Sequence, residues 1–186
     1  MDIRNLKDEE IISRIKEEGS SRCFEVLYYR YHEKVRGKCH SFVKNREMAE
    51  ELAENIFIRA FEKLPSLKQL SSFSSWLYSI TYNQCIDYLR EKKKLHYPEW
   101  NRVNEMPEII DETEEIIQDI NYENLYAILE VIHPEEKALL LMKYQDALSM
   151  KQISAALRIS ENAAKMRLKR ARTRVLLLYA EKYFRK

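Results

Sequence analysis

Turn-forming residues are scarce in this chain, whose 186 residues include only 2 Gly and 4 Pro. So few cannot supply the many tight connections of a sandwich, a barrel or a doubly wound sheet, which leaves a mostly helical chain. Long hydrophobic runs are missing too. Although 45% of the residues are hydrophobic, no uninterrupted apolar stretch approaches the roughly 20 residues needed to cross a bilayer, so no membrane insertion is expected. The opening segment MDIRNLKDEE has no basic stretch followed by an apolar one, so nothing in it directs export and a cytoplasmic location is expected. Cysteine is limited to Cys23, Cys39 and Cys85, an odd number with no C-x-x-C, which argues for reduced core thiols rather than disulfides. His32, His40, His96 and His133 are equally scattered, without the pairing that a metal site requires, so no metal or other cofactor is expected.

Charge is present in quantity, and it is sorted. Residues 1–94 carry 18 Lys/Arg and 15 Asp/Glu, residues 95–131 carry 1 and 10, and residues 132–186 carry 13 and 5. The near-neutral total of +2 therefore conceals an acidic middle and a basic end. A basic C-terminal third fits a polyanionic partner, with nucleic acid the first candidate.

Helical periodicity predicts segments at about 8–18, ended by Gly19, and at about 21–44, with Phe24, Leu27, Tyr28, Tyr31 and Val35 forming one stripe. A third, about 47–63, stops at Pro65. The Ser-rich stretch 65–75 reads as a loop whose hydroxyls favour turns and then cap a fourth helix, about 74–94. Residues 96–112 contain Pro98 and Pro107 and read as part of an acidic linker, so the expected domains are 1–95 and 113–186. Periodicity resumes with Ile116, Ile120, Leu125, Ile128 and Leu129, followed by a helix at 134–145. Met150–Leu157, a break at Arg158-Ile159 and a long helix capped by Ser160 then form a helix-turn-helix. In the last helix Ala164, Leu168, Ala171, Val175 and Leu178 make the core stripe, while Lys165, Arg167, Lys169, Arg170, Arg172 and Arg174 occupy its other faces. No acid interrupts residues 165–174, unlike a merely solvated face, so these cations point to phosphate contacts. Base edges are expected near the helix start, at Asn162, Lys165 or Arg167.

In the first domain, one sector of helix 74–94 holds Trp76, Ile80, Asn83, Asp87 and Arg90, and the opposite side holds Tyr78, Tyr82, Cys85 and Leu89 as core. Aromatic and polar groups next to the cations at 90–94 suit single-stranded nucleic acid, with Asn83 and Arg90 the better contacts. Phe73 and Trp76 are expected in the core, as large aromatics in small helical domains usually are. Glu47, Glu50, Glu51 and Glu54 beside Asn55 lack the Glu-x-x-His partner of a metal site, and fit an acidic face that docks a basic partner.

The succession of AEELAENIFIRAF (49–61), FSSWLYSITYNQCIDYLREKKK (73–94), an acidic linker and HPEEKALLLMKYQDALSMKQISAALRISENAAKMRLKRARTRV (133–175) resembles the bacterial extracytoplasmic-function sigma factors of RNA polymerase. The resemblance implies two helical domains in an all-α fold. The first would bind the β′ clamp helices of core RNA polymerase through D-A-E-D-L-x-Q-[ED]-x-F, which falls on Met48–Phe57 and assigns Glu50, Glu51, Leu52, Glu54, Asn55 and Phe57 to docking. Met48 and Asn55 depart from that pattern, each standing where an acid is usual. The loop 65–75 and the helix after it would hold the unwound −10 promoter element, with Lys68, Ser72, Asn83, Asp87, Arg90 and Lys93 near the strand.

The second domain would read the duplex −35 element through Ser160, Asn162, Lys165, Arg167, Lys169, Arg170 and Arg172, and dock the β flap. Arg158 replaces the usual Gly of L-G-I-S, at a position that favours positive φ. An anti-sigma factor is a further implied partner. The expected function is promoter-directed transcription initiation, with promoter DNA as ligand and no catalytic residues. The alternatives are a stand-alone helix-turn-helix regulator and a metal-dependent hydrolase using Glu47–Glu54.

Overall fold

The computed structural model describes residues 3–19, 21–93 and 121–184. The chain divides into two compact units, Met1–Lys94 and Leu95–Lys186. The linker 96–112, Ile116, Ile120 and the expected boundary at 113 lie outside the described residues, among which there is no strand.

Among the described residues, the first unit has four α-helices: α1 (Asp8–Glu18), α2 (Ser21–Val43), α3 (Arg46–Lys63) and α4 (Phe73–Lys93). Gly19 ends α1 at φ +65 and its N–H donates to Ile15 O at 2.9 Å, the left-handed stop that glycine makes cheaply. Ile11, Ile12 and Ile15 of α1 are buried, and each fully buried side chain of this size contributes about 1.5–3 kcal/mol. Arg30 and Tyr31 of α2 both donate to the Asp8 carboxylate, and Arg30 also reaches Leu6 O at 3.0 Å, which fastens the N-terminal segment to α2. Burial and the bond to Asp8 push the Tyr31 phenol above its ordinary value.

Asn45 caps α3 by accepting from Met48 N–H at 2.9 Å. Helix α3 ends at Lys63, and Pro65 lies in a 3-10 turn, Leu64–Ser66, followed by a second, Leu70–Ser72. The hydroxyls make the turns expected of this stretch: Ser66 donates to Lys63 O at 2.6 Å and Ser72, the residue before α4, donates back to Gln69 O at 2.7 Å. These bonds close the turns, while buried Leu64 and Leu67 anchor the segment.

Phe73, Leu77, Tyr82, Cys85, Ile86 and Leu89 of α4 are buried. Tyr78, expected in the core, is only half-buried, with the Lys38 ammonium 4.5 Å from its ring centroid. Phe73 is buried as expected, whereas Trp76 is half-buried against it, their centroids 5.8 Å apart. Cys23, Cys39 and Cys85 are free and buried, and hydrogen bonding with Cys39 together with burial holds the Cys85 thiol well above the usual thiol range.

The second unit contains α5 (Tyr122–Leu129), α6 (Pro134–Leu140), α7 (Met150–Leu157) and α8 (Glu161–Tyr183). Asn121 caps α5, and its own N–H donates to the Tyr179 hydroxyl at 2.9 Å, tying the start of α5 to the last turns of α8. The expected single helix over 134–145 is α6 followed by a π turn, Leu141–Gln145, after which Ala147 takes φ +52. Ser149 and Gln152 form a reciprocal capping box at α7. Arg158 occupies the left-handed region at φ +56, and the Ser160 hydroxyl accepts from Ala163 N–H at 3.1 Å to start α8. The buried stripe of α8 is Ala164, Leu168, Ala171, Val175 and Tyr179, so Tyr179 takes the place expected for Leu178, which is half-buried.

Candidate functional site

Three surfaces carry the residues singled out in the sequence. On α3 the alternation of small and apolar residues buries Ala49, Leu52, Ala53, Ile56 and Phe57, and so turns Glu47, Glu51, Glu54 and Asn55 outward. Leu52 and Phe57, expected among the docking residues, are thus core residues: the Phe57 ring packs 4.8 Å from that of Tyr28. Glu50 is half-buried, 2.8 Å from His32 Nε2 and 3.6 Å from Arg36 Nε, both on α2. Burial first, then the charges of Glu50 and Glu54, push the Tyr28 phenol up. Sequence reasoning missed Ile58 and Phe61, which are 57% and 39% exposed. They follow Glu51 and Glu54 by seven residues, about two helical turns, so they extend the acidic face with apolar surface. That spacing was the available signal.

Along α4, Asn83, Asp87 and Arg90 are brought together. Asn83 Nδ2 donates to Asp87 Oδ2 at 3.3 Å, and Arg90 Nη1 stands 3.5 Å from Asp87 Oδ1. The carboxylate links an amide and a guanidinium on one stripe, and half-buried Trp76 lies on the same face two turns earlier. In the preceding turns Lys68 is exposed and Ser72 is half-buried, its hydroxyl proton given to Gln69 O. Lys93 is the last residue of α4, and its side chain lies outside the described residues.

On α8, Asn162, Lys165, Lys169 and Arg172 are exposed, and the Ser160 hydroxyl serves the helix cap. Arg170 is half-buried. Arg167 and Arg174 differ from the outward cations, because both reach acids at the start of α6. Arg167 Nη1 donates to Glu135 Oε2 at 3.2 Å, and Arg174 Nε lies 3.3 Å from Glu136 Oε1. The two carboxylate side chains are 2% and 0% exposed. Burial pushes the Glu136 carboxyl up, with the Arg174 charge opposing it. No group of three or more His, Cys, Asp or Glu side chains among the described residues is arranged to hold a metal ion.

Family comparison matches sigma-70 region 2 to residues 27–95 and sigma-70 region 4 to residues 122–175. The chain belongs to the extracytoplasmic-function RNA polymerase sigma factors. Two relatives from Bacillus subtilis (strain 168) span most of this sigma factor. The ECF RNA polymerase sigma factor SigW is 29% identical over 175 residues, 87% of this chain and 92% of the relative. SigX is 24% identical over 147 residues, 76% of each. Among solved structures, CnrH in complex with the cytosolic domain of CnrY has a TM-score of 0.59 at 18% identity, covering 92% of this chain and 96% of that one. The sigma factor RpoE of Bartonella quintana, crystallised with the anti-sigma factor NepR, has a TM-score of 0.55 at 16% identity over 83% and 96%. These structures share the fold.

The region 2 match spans most of α2 and all of α3 and α4, and the region 4 match runs from α5 into α8. A sigma factor directs core RNA polymerase to the promoters it transcribes, and the pairing of both regions in one chain does not favour a stand-alone helix-turn-helix regulator. No helix among the described residues is long and apolar enough to cross a membrane.

Proposed function

We propose that the three surfaces divide the work of initiation. The outward face of α3, with Glu47, Glu51, Glu54, Ile58 and Phe61, docks on the β′ clamp helices, its acids setting encounter and its apolar end adding buried area. Glu50 is held by His32 and Arg36 and positions that face. Trp76, Asn83, Asp87 and Arg90, with the turns at 64–72, hold the melted −10 strand, where a flipped base must recover a few kcal/mol of lost stacking. The exposed cations of α8 grip phosphates of the −35 duplex while Asn162 and its neighbours face base edges. The second unit also docks the β flap, and an anti-sigma factor, the kind of partner named for the Bartonella quintana relative, is the regulator to expect. The factor works in the cytoplasm and supplies no catalytic group of its own.

The observation that carries this reading is the pairing, in one chain, of a region 2 unit with an outward acidic helix and a region 4 unit with an outward basic one. The test is transcription in vitro from a promoter library by core polymerase with and without the protein. Discrete promoters transcribed only in its presence are expected. Tight sequence-specific binding to duplex DNA in a mobility shift without core enzyme, and no stimulated transcription, would refute it.

A further inference from the structure

The centre of the outward face of α8 is apolar. At about 100° of rotation per residue, Met166 stands opposite the buried stripe of Ala164, Leu168, Ala171 and Val175. Met166 is 51% exposed. Asn162 and Arg170 lie one turn to either side of it along the helix, and Lys165 and Lys169 both border it on one side. A single exposed apolar side chain is ordinary on a protein surface. At the middle of a polar, cationic face turned toward duplex DNA, it has a chemical use.

The major-groove edges of guanine, adenine and cytosine offer nitrogen and oxygen donors and acceptors, and only thymine adds an apolar group, its C5-methyl. A thioether on an unbranched side chain is apolar, polarisable and adaptable enough to pack against that methyl, but makes no strong hydrogen bond to the other edges. We propose that Met166 is a specificity-determining residue of this sigma factor and reads the C5-methyl of a thymine in the −35 duplex. The inference rests on the assignment of α8 as the recognition helix. Lys165, Lys169 and Arg170 supply attraction that is indifferent to sequence, and Asn162 hydrogen-bonds a neighbouring edge.

The test uses the full chain assembled with core RNA polymerase. Duplex promoter fragments randomised across the −35 region are first selected by the holoenzyme. Each thymine of a selected fragment is then replaced singly by deoxyuridine, which removes only the methyl. At one position the wild-type holoenzyme is expected to lose about fourfold in affinity, the worth of one methyl taken out of water. Met166→Ala is expected to lose about as much on the thymine fragment and nothing further on deoxyuridine, with Met166→Leu regaining methyl sensitivity. Because Met166 is exposed, an unchanged melting temperature verifies that the variants fold. Selected fragments without a methyl-sensitive thymine, or a Met166→Ala protein as methyl-sensitive as wild type, overturn the inference alone. A holoenzyme that enriches no upstream sequence overturns the recognition-helix assignment and this inference with it.

Discussion

Helix α3 of the first unit and helix α8 of the second are alike in design and opposite in sign. Each presents a charged face outward, and each spends part of its charge on a neighbouring helix: Glu50 on His32 and Arg36 of α2, Arg167 and Arg174 on Glu135 and Glu136 of α6. The difference is burial. The Glu50 side chain remains 41% exposed, whereas that of Glu136 is wholly covered. An exposed ion pair is worth little to stability and mainly orients its members, while a buried one ties its unit together because an unpaired buried charge is costly. A run of like charge in a sequence thus mixes residues that serve the partner with residues that serve the fold, and only packing separates them.

The buried side of this comparison gives the largest expected effect. Arg174→Ala leaves the Glu136 carboxyl covered without its cation, and should destabilise the second unit by about 2 kcal/mol, below the ~3–5 kcal/mol of a fully buried pair because the guanidinium is partly solvated. Hydrogen exchange of the α6 and α8 amides in the full chain measures it. The pH sign is fixed by the raised Glu136 value. Folding makes this carboxyl hold its proton more tightly than the ordinary 4.5, so its own contribution to stability is greatest below that value and falls as pH rises through the raised native one. Removing Arg174 extends that fall to higher pH, because its charge opposes the upward shift, and Glu136→Gln abolishes it.

The exposed side predicts a functional loss instead. Glu51→Lys reverses an outward charge of α3 and should weaken competition for core polymerase at least tenfold, about 1.4 kcal/mol, with the melting temperature unchanged. His32→Ala, which removes one of the two partners of Glu50 and leaves it to Arg36, should weaken competition less. A larger loss for His32→Ala than for Glu51→Lys would reverse the division between contacting and positioning residues.

Much of this architecture was legible because its signals are local. Gly19 stops α1 and Ser160 starts α8 where their chemistry places them, and the 3.6-residue period located α1–α4, α7 and α8 to within a few residues. What was not legible depends on packing. Leu178 and Tyr179 lie at similar angles from the centre of the α8 stripe, so the period does not choose between them; the Tyr179 hydroxyl, which reaches Asn121 N–H, does. Glu135 and Glu136 look like ordinary first-turn acids, and nothing local announces that α8 covers them. Phe57 matches a docking pattern yet faces Tyr28, because a motif preserves the residues that shape a surface along with those that form it.

Scarce glycine leaves its own mark on the comparison of the two units. Besides Gly19, left-handed backbone among the described residues falls at Lys44 in the first unit and at Ala147 and Arg158 in the second, all three non-glycine. Ala147→Gly and Arg158→Gly should each stabilise the second unit by about 1 kcal/mol by relieving the Cβ conflict, read as a raised urea midpoint. No gain at Ala147, which is exposed, would mean that the unfolded-chain entropy of glycine offsets the relief.

The finest test separates two cations two residues apart. Lys165 points outward and Arg167 holds Glu135. If Lys165 meets a phosphate, Lys165→Ala lowers the slope of log affinity against log salt for holoenzyme on duplex promoter DNA by about 0.9, with stability unchanged. Arg167→Ala should do the reverse, leaving the slope as it was and lowering the urea midpoint, since its guanidinium neutralises a carboxylate of its own chain. Equal salt slopes for both variants would mean that Arg167 leaves Glu135 when DNA binds. The buried acids of α6 would then be a reserve of counter-charge that promoter DNA displaces, and the distinction between fold-serving and partner-serving charge on α8 would hold only for the free protein.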